Sequence, residues 1–493
     1  MLNFKTCAQS VPYLSTLAAV ARSHDVYVWL VGGVLRDMYL GKKREFFDFD
    51  FCVEKHVLPV VKHFAKKTSS RFIVLDEAQQ SYRVIVKQKG AVYTYDFTLM
   101  RGAQFIDDLA RRDFSINTLA LCLNEKGKLL DYYGARRDLK RKIIRVIQED
   151  VFEADPLRIL RGFSFMVNYG LRIEKRTYAY MIKYRKLLKA VSGERLKEEF
   201  FKILGAPGSF RAIKQLADAW ILDEIIPSLG RMRGVTQGAY HHLDVWAHSL
   251  ETLRQFERLV YGELASSREI TAYLNESLAQ NRTRNQVIKL ACLLHDIGKP
   301  AAKARKGKRT IFYTHEKIGR DLIEHIASAL KFSVRVREFL KKLVFWHLRP
   351  GYLADQEEPT RRAIYRFFRD TQEEGPSVVL LSLADWRATC GPLTDARKRK
   401  RHEKVMLSLV EDYFREIVRI PLPVIVDGFA IMKKFNLSPS PLIGKILKKV
   451  REEQALGHVT TKTQAYVIAH EIVTKNREGV GVPGACISKR KVP

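Results

Sequence analysis

The hydrophobic pattern of the chain changes near residue 155. Before that point, short apolar runs of strand length alternate with helix-like segments. The strand-like runs are VYVWLV (26–31), FFDFDFCV (46–53), RFIVLD (71–76), YRVIVKQ (82–88) and VYTYDFTL (92–99). Beyond residue 155, apolar residues recur mostly at helical spacing. The pattern predicts an α+β chain, in which a mixed α/β head is followed by a long helical region.

Two carboxylates interrupt the second strand-like run. Asp48 and Asp50 are one residue apart, and alternate residues of a strand face the same side. Two like charges that close repel, and a cation between them removes the cost. Carboxylate oxygens suit Mg²⁺, which binds through one or two carboxylates together with substrate phosphates. The pair alone fits either a metal site or an edge strand with solvated carboxylates.

The segment LVGGVLRD (30–37) lies upstream of this pair. A strand that passes through Gly32 and Gly33 into a helix presents backbone N–H groups to an anion, and glycine lets a phosphate approach closely. Arg36 adds a positive charge, and Asp96 on a further predicted strand is a candidate third carboxylate. A glycine pair alone indicates only a tight turn. With the carboxylates it predicts a phosphate site that uses two metals for an in-line displacement.

Six blocks in the first 205 residues resemble the class II tRNA nucleotidyltransferase and bacterial poly(A) polymerase family. In family order they are LVGGVLRD, FDFD, DDLARRDFSINTLAL, LLDYYGARRDLKRKIIRVI, ADPLRILRGFSF and GERLKEEFFKIL. The resemblance implies that Asp48 and Asp50 hold the catalytic Mg²⁺ ions, with Asp96 as the third catalytic carboxylate. It implies a nucleotide-binding site made of Gly32, Gly33, Arg36, Arg112, Asp113, Asp155, Arg158 and Arg161.

Within that site, Asp155 and Arg158 are expected to read the Watson–Crick edge of the incoming base. Residues three apart lie on one helix face, and a carboxylate beside a guanidinium offers both acceptors and donors. Asp155 is also expected to cap this helix, with Pro156 at its first position. In the family the helix usually begins Glu-Asp-x-x-Arg, whereas Ala154 stands at the Glu position here. The segment before DDLARRDF is short, which fits partial enzymes that add only CC or only A.

A second set of polar residues lies in the helical region. LACLLHDIGKP (290–300) ends an apolar helical run with two adjacent ionisable side chains. Each histidine by itself is typical of the surface or of a satisfied core position. Together the residues resemble the HD-superfamily metal phosphohydrolases. The resemblance implies a divalent metal of unknown identity and phosphoester hydrolysis by metal-bound water. The candidate ligands are His248, His295, Asp296, His315, His347 and Asp385.

Composition indicates the kind of partner. The 493 residues include 86 Lys and Arg against 54 Asp and Glu, a formal net charge of +32. That excess favours a polyanion, with nucleic acid first and a membrane surface second. We expect no signal peptide and no membrane span, because we find no apolar run long enough to cross a bilayer. The six cysteines are scattered without a CxxC, which indicates a reducing cytoplasm.

These observations predict four parts. Residues 1–150 form the nucleotidyltransferase head, 151–230 a helical neck, 231–400 a helical HD domain, and 401–493 a helical tail with a flexible basic C-terminus. The leading function is template-independent addition of CMP, AMP or both to the 3′ end of tRNA, using CTP and ATP and releasing pyrophosphate. One alternative is a poly(A) polymerase. The other is an HD phosphohydrolase whose head only binds RNA.

Overall fold

The computed structural model describes residues 3–42, 47–88, 90–125, 127–238, 242–279, 282–307, 309–356, 358–390, 395–415 and 423–478. The predicted C-terminal segment after residue 478 lies outside the described residues. The chain divides into two compact units. The first comprises Met1–Leu229 with Ser328–Phe332, and the second comprises Gly230–Ala327 with Ser333–Pro493. The finer division into four parts stays a prediction.

A seven-stranded sheet forms the centre of the first unit, and the five predicted strands are confirmed. The strands are β1 (Val28–Val31), β2 (Asp48–Val53), β3 (Arg71–Asp76), β4 (Ser81–Gln88), β5 (Ala91–Leu99), β6 (Ala120–Cys122) and β7 (Leu129–Leu130). Their order is β3-β4-β5-β2-β1-β6-β7. Strands β2 and β5 pair in parallel, while the other neighbours are antiparallel.

Helices surround this sheet and continue beyond it in the first unit. They are α1 (Phe4–Ser10), α2 (Leu14–Ser23), α3 (Gly33–Tyr39), α4 (Val57–Lys67), α5 (Phe105–Ala110), α6 (Ala135–Lys140), α7 (Val151–Ala154), α8 (Arg158–Tyr169), α9 (Lys175–Tyr184), α10 (Gly193–Gly205), α11 (Phe210–Asp218) and α12 (Ile221–Ile225). A short parallel pair joins β8 (Ile143–Ile144) to β9 (Arg172–Ile173). Three 3₁₀ helices cover Ser115–Asn117, Arg185–Ala190 and Pro227–Met232.

The alternation in β2 gives the sheet one closed face and one open face. Phe51 is fully buried and stacks on Phe97 of β5 at 5.3 Å between ring centroids. Phe64 of α4 packs on the same side, 5.8 Å from Phe97. Burying such aromatic side chains is worth roughly 1.5–3 kcal/mol each. The aspartates between the phenylalanines therefore face the side that α4 leaves open.

The second unit is mainly helical, as predicted. Its helices are α13 (Val245–Arg258), α14 (Arg268–Asn275), α15 (Arg284–Leu294), α16 (Lys299–Ala302), α17 (His315–Ala329), α18 (Val334–Trp346), α19 (Arg349–Ala354), α20 (Arg361–Thr371), α21 (Gly375–Ala388), α22 (Ala396–Phe414), α23 (Gly428–Phe435), α24 (Pro441–Ala455) and α25 (Lys462–Glu478). A π-helix covers Leu259–Glu263 and a 3₁₀ helix Gln372–Glu374. None of the described helices combines the length and apolar character needed to cross a bilayer.

Two short hairpins, which the hydrophobic pattern does not predict, also occur in this unit. They pair β10 (Ser277–Ala279) with β11 (Arg282–Thr283), and β12 (Ala304–Lys306) with β13 (Arg309–Ile311). Strands of two or three residues are too short to show a period of two. Behind them, α15 is buried along its whole length and packs against α13, α18 and α21. These four helices position most of the predicted metal ligands.

Candidate functional site

The open face of the sheet brings three carboxylates together. In the parallel pairing, Asp48 lies opposite Thr94, and Asp50 lies opposite Asp96. The Thr94 hydroxyl donates a hydrogen bond to the Asp48 carboxylate. Arg83 of β4 donates two hydrogen bonds of 2.7 Å to Asp96. The cation therefore balances Asp96, whereas Asp48 and Asp50 remain exposed and face the open side of the sheet.

Asp50 lies directly against the glycine turn. A Cβ atom on Gly32 would come within 2.8 Å of the Asp50 Oδ2 atom, and the φ of Gly32 is +85°. Both the space and the backbone conformation therefore require glycine. Asp50 is exposed as a residue, but its carboxyl group lies against the Gly32 turn, and the resulting loss of hydration raises its pKa. Arg112 opposes the rise, and Asp96 and Asp48 add to it. A cation at this position would stabilise the ionised carboxylates.

Among the charged groups around Asp50, Arg112 has the largest effect on the pKa of its carboxyl group. Its Nη2 atom lies 3.6 Å from Asp108 Oδ2, and its Nε atom is buried without a hydrogen-bond partner. A buried donor without a partner costs free energy unless a ligand or water satisfies it. Arg112 therefore retains hydrogen-bonding capacity beside the carboxylates.

Arg36 is buried and bonded within the protein. Its guanidinium donates to Asp37 at 2.9 Å, to Asn117 at 2.6 Å and to the hydroxyl of Tyr169. It also lies over the Tyr169 ring, 4.3 Å from the centroid. The structure thus places Arg36 as a link between α3 and α8. Its contact with a triphosphate stays a prediction.

Asp113 is likewise buried, and it holds Arg161. The Arg161 guanidinium donates two hydrogen bonds to Asp113, of 3.0 and 2.8 Å, and Asn117 donates a third of 2.8 Å. Burial opposes ionisation of Asp113, but Arg161 and these hydrogen bonds lower its pKa below the ordinary value. Asp113 therefore positions a guanidinium from inside the protein.

The expected helix start at Pro156 is wrong by two residues. Helix α7 ends at Ala154, and α8 begins only at Arg158, while Asp155 between them has an extended backbone with φ −150°. The intervening turn is tighter than an α-helix, because the N–H of Arg158 bonds to the carbonyl of Asp155 at 3.1 Å, with the three-residue spacing of a 3₁₀ turn. Asp155 still acts as a local cap, since its carboxylate accepts the Leu157 N–H at 3.3 Å. It is not on the helix that carries Arg158.

Arg195 of α10 is a site residue that the sequence analysis missed. It donates to both carboxylate oxygens of Asp155, at 3.1 and 2.9 Å. The two residues are 40 positions apart, so no periodicity connects them. The signal that could have found Arg195 is its place in the matched block GERLKEEFFKIL. Both contacts come from the single nitrogen Nη2, and they connect α10 to the turn that precedes α8.

A polar cavity of about 560 Å³ lies beside the start of α8. Its walls include Arg158, together with Arg101 and Arg111, which were not predicted. Ala154 lies in the same wall, at the position where the family pattern has Glu. The remaining lining residues are Gly102, Asp107, Ala110, Gln148, Asp150 and Val151. The cavity thus presents three guanidinium groups and two carboxylates, which suits a ligand with both hydrogen-bond acceptors and donors.

In the second unit, the structure brings all six predicted HD residues together, and we call them the HD cluster. Asp296 is the centre. Its Oδ2 atom lies 3.1 Å from His295 Nε2 and 3.8 Å from His248 Nε2, and its Oδ1 atom lies 3.4 Å from His315 Nε2 and 3.8 Å from His347 Nε2. Asp385 Oδ1 lies 2.7 Å from His248 Nε2.

Helix ends and one close backbone contact create this arrangement. His295 follows α15, His347 follows α18, and His315 is the first residue of α17. A Cβ atom on Gly298 would lie 2.1 Å from the backbone oxygen of His315. Glycine therefore lets the turn after Asp296 pack directly on α17.

Backbone carbonyls orient three of the rings in the same way. The Nδ1 atoms of His295, His315 and His347 lie 3.0, 2.8 and 2.6 Å from the carbonyl oxygens of Cys292, Phe312 and Val344. A ring that donates through Nδ1 presents a lone pair on Nε2. All three Nε2 atoms point toward Asp296. This is the usual arrangement of histidines that bind a metal.

The carboxylates of the HD cluster are balanced by neighbouring groups, while one imidazole stays neutral. Burial lowers the pKa of His347 to about 3, which keeps this imidazole neutral. Burial opposes the charged form of His295 as well, but Asp296 and Asp385 raise its pKa to about 10. Lys299 Nζ lies 2.6 Å from Asp296 Oδ2. Without a metal, protonated neighbours balance the two carboxylates.

The HD cluster contains two groups of potential ligands. His248, His295 and Asp296 form one group, and Asp296, His315 and His347 form the other. Within each group the ligand atoms lie within 4.8 Å of one another. The imidazole and carboxylate donors suit divalent transition metals. Asp296 belongs to both groups, so it is the residue that both would use to hold a metal.

Comparison with known proteins covers both units. Family models match the poly A polymerase head domain at residues 28–145, the probable RNA and SrmB-binding site of polymerase A at residues 170–232, and the HD domain at residues 245–389. A Thermotoga maritima CCA-adding enzyme complexed with tRNA has the same fold. Its TM-score is 0.66 at 19% identity, over 97% of this chain and all of that one.

Two curated relatives extend along nearly the whole chain. The A-adding tRNA nucleotidyltransferase of Deinococcus radiodurans is 30% identical over 450 residues, which is 88% of this chain and 93% of that protein. The CC-adding tRNA nucleotidyltransferase of Thermus thermophilus is 28% identical over 444 residues, 88% of this chain and 91% of that protein. The nucleotidyltransferase family and the HD family are both metal-dependent. The chain therefore belongs to the tRNA nucleotidyltransferase family.

Proposed function

We propose that this transferase adds CMP, AMP or both to the 3′ end of tRNA without a template. The observation that carries the proposal is the face of β2 and β5, where Asp48 and Asp50 lie beside Asp96 and beneath the Gly32 turn. tRNA as the acceptor follows from the two curated relatives, which are named for it. The family match to an RNA-binding region at residues 170–232 supports the same partner.

In the proposed reaction, the 3′-hydroxyl oxygen of the RNA attacks the α-phosphorus of a nucleoside triphosphate. The bond from that phosphorus to the β-phosphate oxygen breaks, and pyrophosphate leaves. Asp48 and Asp50 would hold Mg²⁺, which activates the hydroxyl and stabilises the leaving oxygens. Arg112, whose Nε atom has no partner, would donate to a phosphate oxygen.

Nucleotide selection is proposed at the cavity beside α8. Arg158 lines this cavity with two further arginines, and Arg195 donates to the neighbouring Asp155 carboxylate. Fixed donors and acceptors can distinguish bases by their Watson–Crick edges. Because Ala154 supplies no carboxylate where the family pattern has one, the choice between CTP and ATP has to be measured.

The experiment uses three tRNA acceptors, ending before the first C, after the first C and after the second C. Purified protein receives CTP, ATP or both, and the products are sequenced. An enzyme that adds only A extends only the acceptor that ends after the second C. An enzyme that adds only CC extends only the two acceptors that lack one or both of these C residues. Long adenylate tracts would identify a poly(A) polymerase. If none of the three acceptors is extended, the proposal is overturned and a head that only binds RNA is favoured.

A second activity, phosphoester hydrolysis, is proposed for the HD cluster. The supporting observation is that six polar residues from distant segments meet around Asp296, with three imidazoles turned toward it. These residues would hold divalent metal, which supplies an activated water. The test is release of phosphate from an RNA 3′-phosphate, or opening of a 2′,3′-cyclic phosphate. Removal of a 3′-phosphate leaves a free 3′-hydroxyl, which can accept a nucleotide. Opening of the cyclic phosphate does so only when the P–O3′ bond breaks and the phosphate stays on O2′.

We propose a reducing compartment such as the cytoplasm as the place of action. Cys7, Cys52, Cys122 and Cys292 are buried and Cys390 is exposed, and all five have free thiols. Such cysteines are typical of proteins that are not stabilised by disulfides. The positive charge of +32 fits binding to tRNA in that compartment.

A further inference from the structure

A large cavity adjoins the HD cluster in the second unit, and we call it the aromatic cavity. Its volume is about 930 Å³, which is within the range of small-molecule sites. Its wall includes His315 and Lys299, both of which also contact Asp296. A molecule in the cavity therefore lies next to the carboxylate at the centre of the cluster.

Aromatic rings line much of this cavity and are open to solvent. Tyr313 is 67% exposed and Tyr352 64% exposed, although large apolar side chains usually avoid water. Trp346 and Phe345 form a further part of the wall, with ring centroids 4.7 Å apart. Exposed rings grouped inside a concave site are available for stacking with a flat ligand.

The same short segments supply the rings and the cluster imidazoles. Tyr313 precedes His315 by two residues, and Trp346 is adjacent to His347. His315 lines the aromatic cavity together with Tyr313 and Trp346, whereas His347 does not. A ligand with a flat part and a phosphate could therefore contact these rings and His315.

Four cationic side chains line the aromatic cavity, and each is paired with a carboxylate. Lys299 pairs with Asp296, Arg349 with Asp370, Arg362 with Glu453 and Arg366 with Glu452, and Glu316 is the only carboxylate among the described lining residues. Arg349 also lies over the Trp346 ring, 4.8 Å from the centroid, while one nitrogen bonds to Asp370 at 2.8 Å. An arginine stacked on an indole is a combination that binds bases and phosphates.

We propose that the aromatic cavity binds the nucleoside part of a phosphorylated nucleotide, whose phosphate lies at the HD cluster. The base stacks among Tyr313, Trp346 and Tyr352, and the phosphate lies beside Lys299 and His315. The ligand is a nucleoside phosphate, either free or as the terminal nucleotide of an RNA. This inference deepens the hydrolysis proposed for the HD cluster, since it gives that site a substrate class.

The test measures binding, not turnover, by isothermal titration calorimetry of the full chain with 3′-AMP, ribose 5-phosphate and inorganic phosphate. We expect 3′-AMP to bind at least fivefold more tightly than ribose 5-phosphate. Tyr352→Ala should remove most of that difference, since stacking of one base is worth about 5- to 150-fold in affinity. Tyr352→Phe keeps the ring and should retain binding.

Phe429→Ala is the matched control, because Phe429 is 80% exposed in the same unit and does not line the aromatic cavity. It should bind 3′-AMP like the unmodified protein. The proposal is overturned if Tyr352→Ala binds 3′-AMP with unchanged affinity, or if ribose 5-phosphate binds as tightly as 3′-AMP. Circular dichroism verifies that each variant is folded.

A further binding measurement distinguishes a free nucleotide from the terminal nucleotide of an RNA as the ligand. A short RNA with a 3′-phosphate that binds more than tenfold tighter than 3′-AMP, and is weakened by Tyr352→Ala, identifies an RNA end. Equal affinities identify a free nucleotide. Because binding is measured directly, it can succeed even if the HD cluster hydrolyses nothing. In that case only the proposed hydrolysis fails.

Discussion

The carboxylate face of the head and the HD cluster are two polar sites built in opposite ways. The head site lies on two adjacent strands, and its aspartates Asp48 and Asp50 are exposed. The HD cluster takes residues from five separate segments, and all but Asp385 are buried. A site on a sheet face arises from local alternation and needs little surrounding structure. A buried cluster exists only when the whole helical unit has folded.

The largest expected effect tests the head side of this comparison. Asp48→Ala or Asp50→Ala should reduce nucleotide addition by about 10³-fold or more, because metal stabilisation of the transition state is worth several kcal/mol. Both residues are exposed, so the fold should remain. The measurement is the rate of incorporation of labelled ATP or CTP into tRNA.

Asp218→Ala is the control for these head variants. Asp218 is an exposed carboxylate of the same unit, paired with Lys214 at 2.7 Å. It should retain the full rate. Near-normal incorporation by either head variant would disprove the metal role assigned to the aspartate pair.

The second prediction tests the HD side. In a protein that already carries Asp48→Ala and Asp50→Ala, elemental analysis should still find divalent metal, held by the HD cluster. Adding Asp296→Asn should lower the bound metal at least tenfold, since Asp296 is the ligand common to both groups. Asp321→Asn, at an exposed carboxylate paired with Arg320, should change nothing. Absence of metal in the starting protein would make the cluster a structural spacer.

The third prediction concerns the contact between the turn and Asp50. Gly32→Ala should slow nucleotide addition by about 10- to 100-fold, since strain of this kind costs roughly 1–3 kcal/mol and displaces the carboxylate. Gly41→Ala is the control, because Gly41 also has a positive φ, +67°, but no atom lies within 4 Å of its added Cβ. If both variants slow the reaction equally, backbone strain and not the collision is responsible.

The smallest expected effect is a pH dependence of stability from Asp113. Its pKa is lowered in the folded protein, so its contribution is present above the ordinary value of 3.8 and is lost as pH falls below it. One such group changes the free energy of unfolding by at most about 1.4 kcal/mol per pH unit. We expect the free energy of unfolding, measured by urea titrations between pH 2.5 and 5.5, to change less steeply with pH in Asp113→Asn than in the unmodified protein. An unchanged slope would mean that other carboxylates dominate.

What could be predicted from the sequence follows the same contrast. Alternation in FFDFDFCV was sufficient to place Asp48 and Asp50 on one face. Arg83, the partner of Asp96, could not be predicted, because the sequence of one strand does not determine its register with the neighbouring strand. The start of α8 at Arg158 was not predicted, because the residue pattern at 155–158 does not distinguish a 3₁₀ turn from the first turn of an α-helix.

For the HD cluster, the sequence indicated the set of residues but not their arrangement. Spacing along the chain does not predict that one oxygen of Asp296 lies near two histidines and the other oxygen near two more. That arrangement depends on how the helices of the second unit pack. The pairing of Arg195 with Asp155 is of the same kind. Long-range contacts between polar side chains require the tertiary structure.

The enclosure of Arg36 affects how the first unit unfolds. This guanidinium bonds to Asn117 and Tyr169, so it connects the glycine turn with the last residue of α8. Separating the turn from α8 would break hydrogen bonds from a charged donor, which are worth roughly 1.5–3 kcal/mol each. We therefore expect the backbone amides of α3 and of the last turn of α8 to exchange with deuterium at similar rates. Through Arg36, residues near the start of the chain protect a helix that begins more than a hundred residues later.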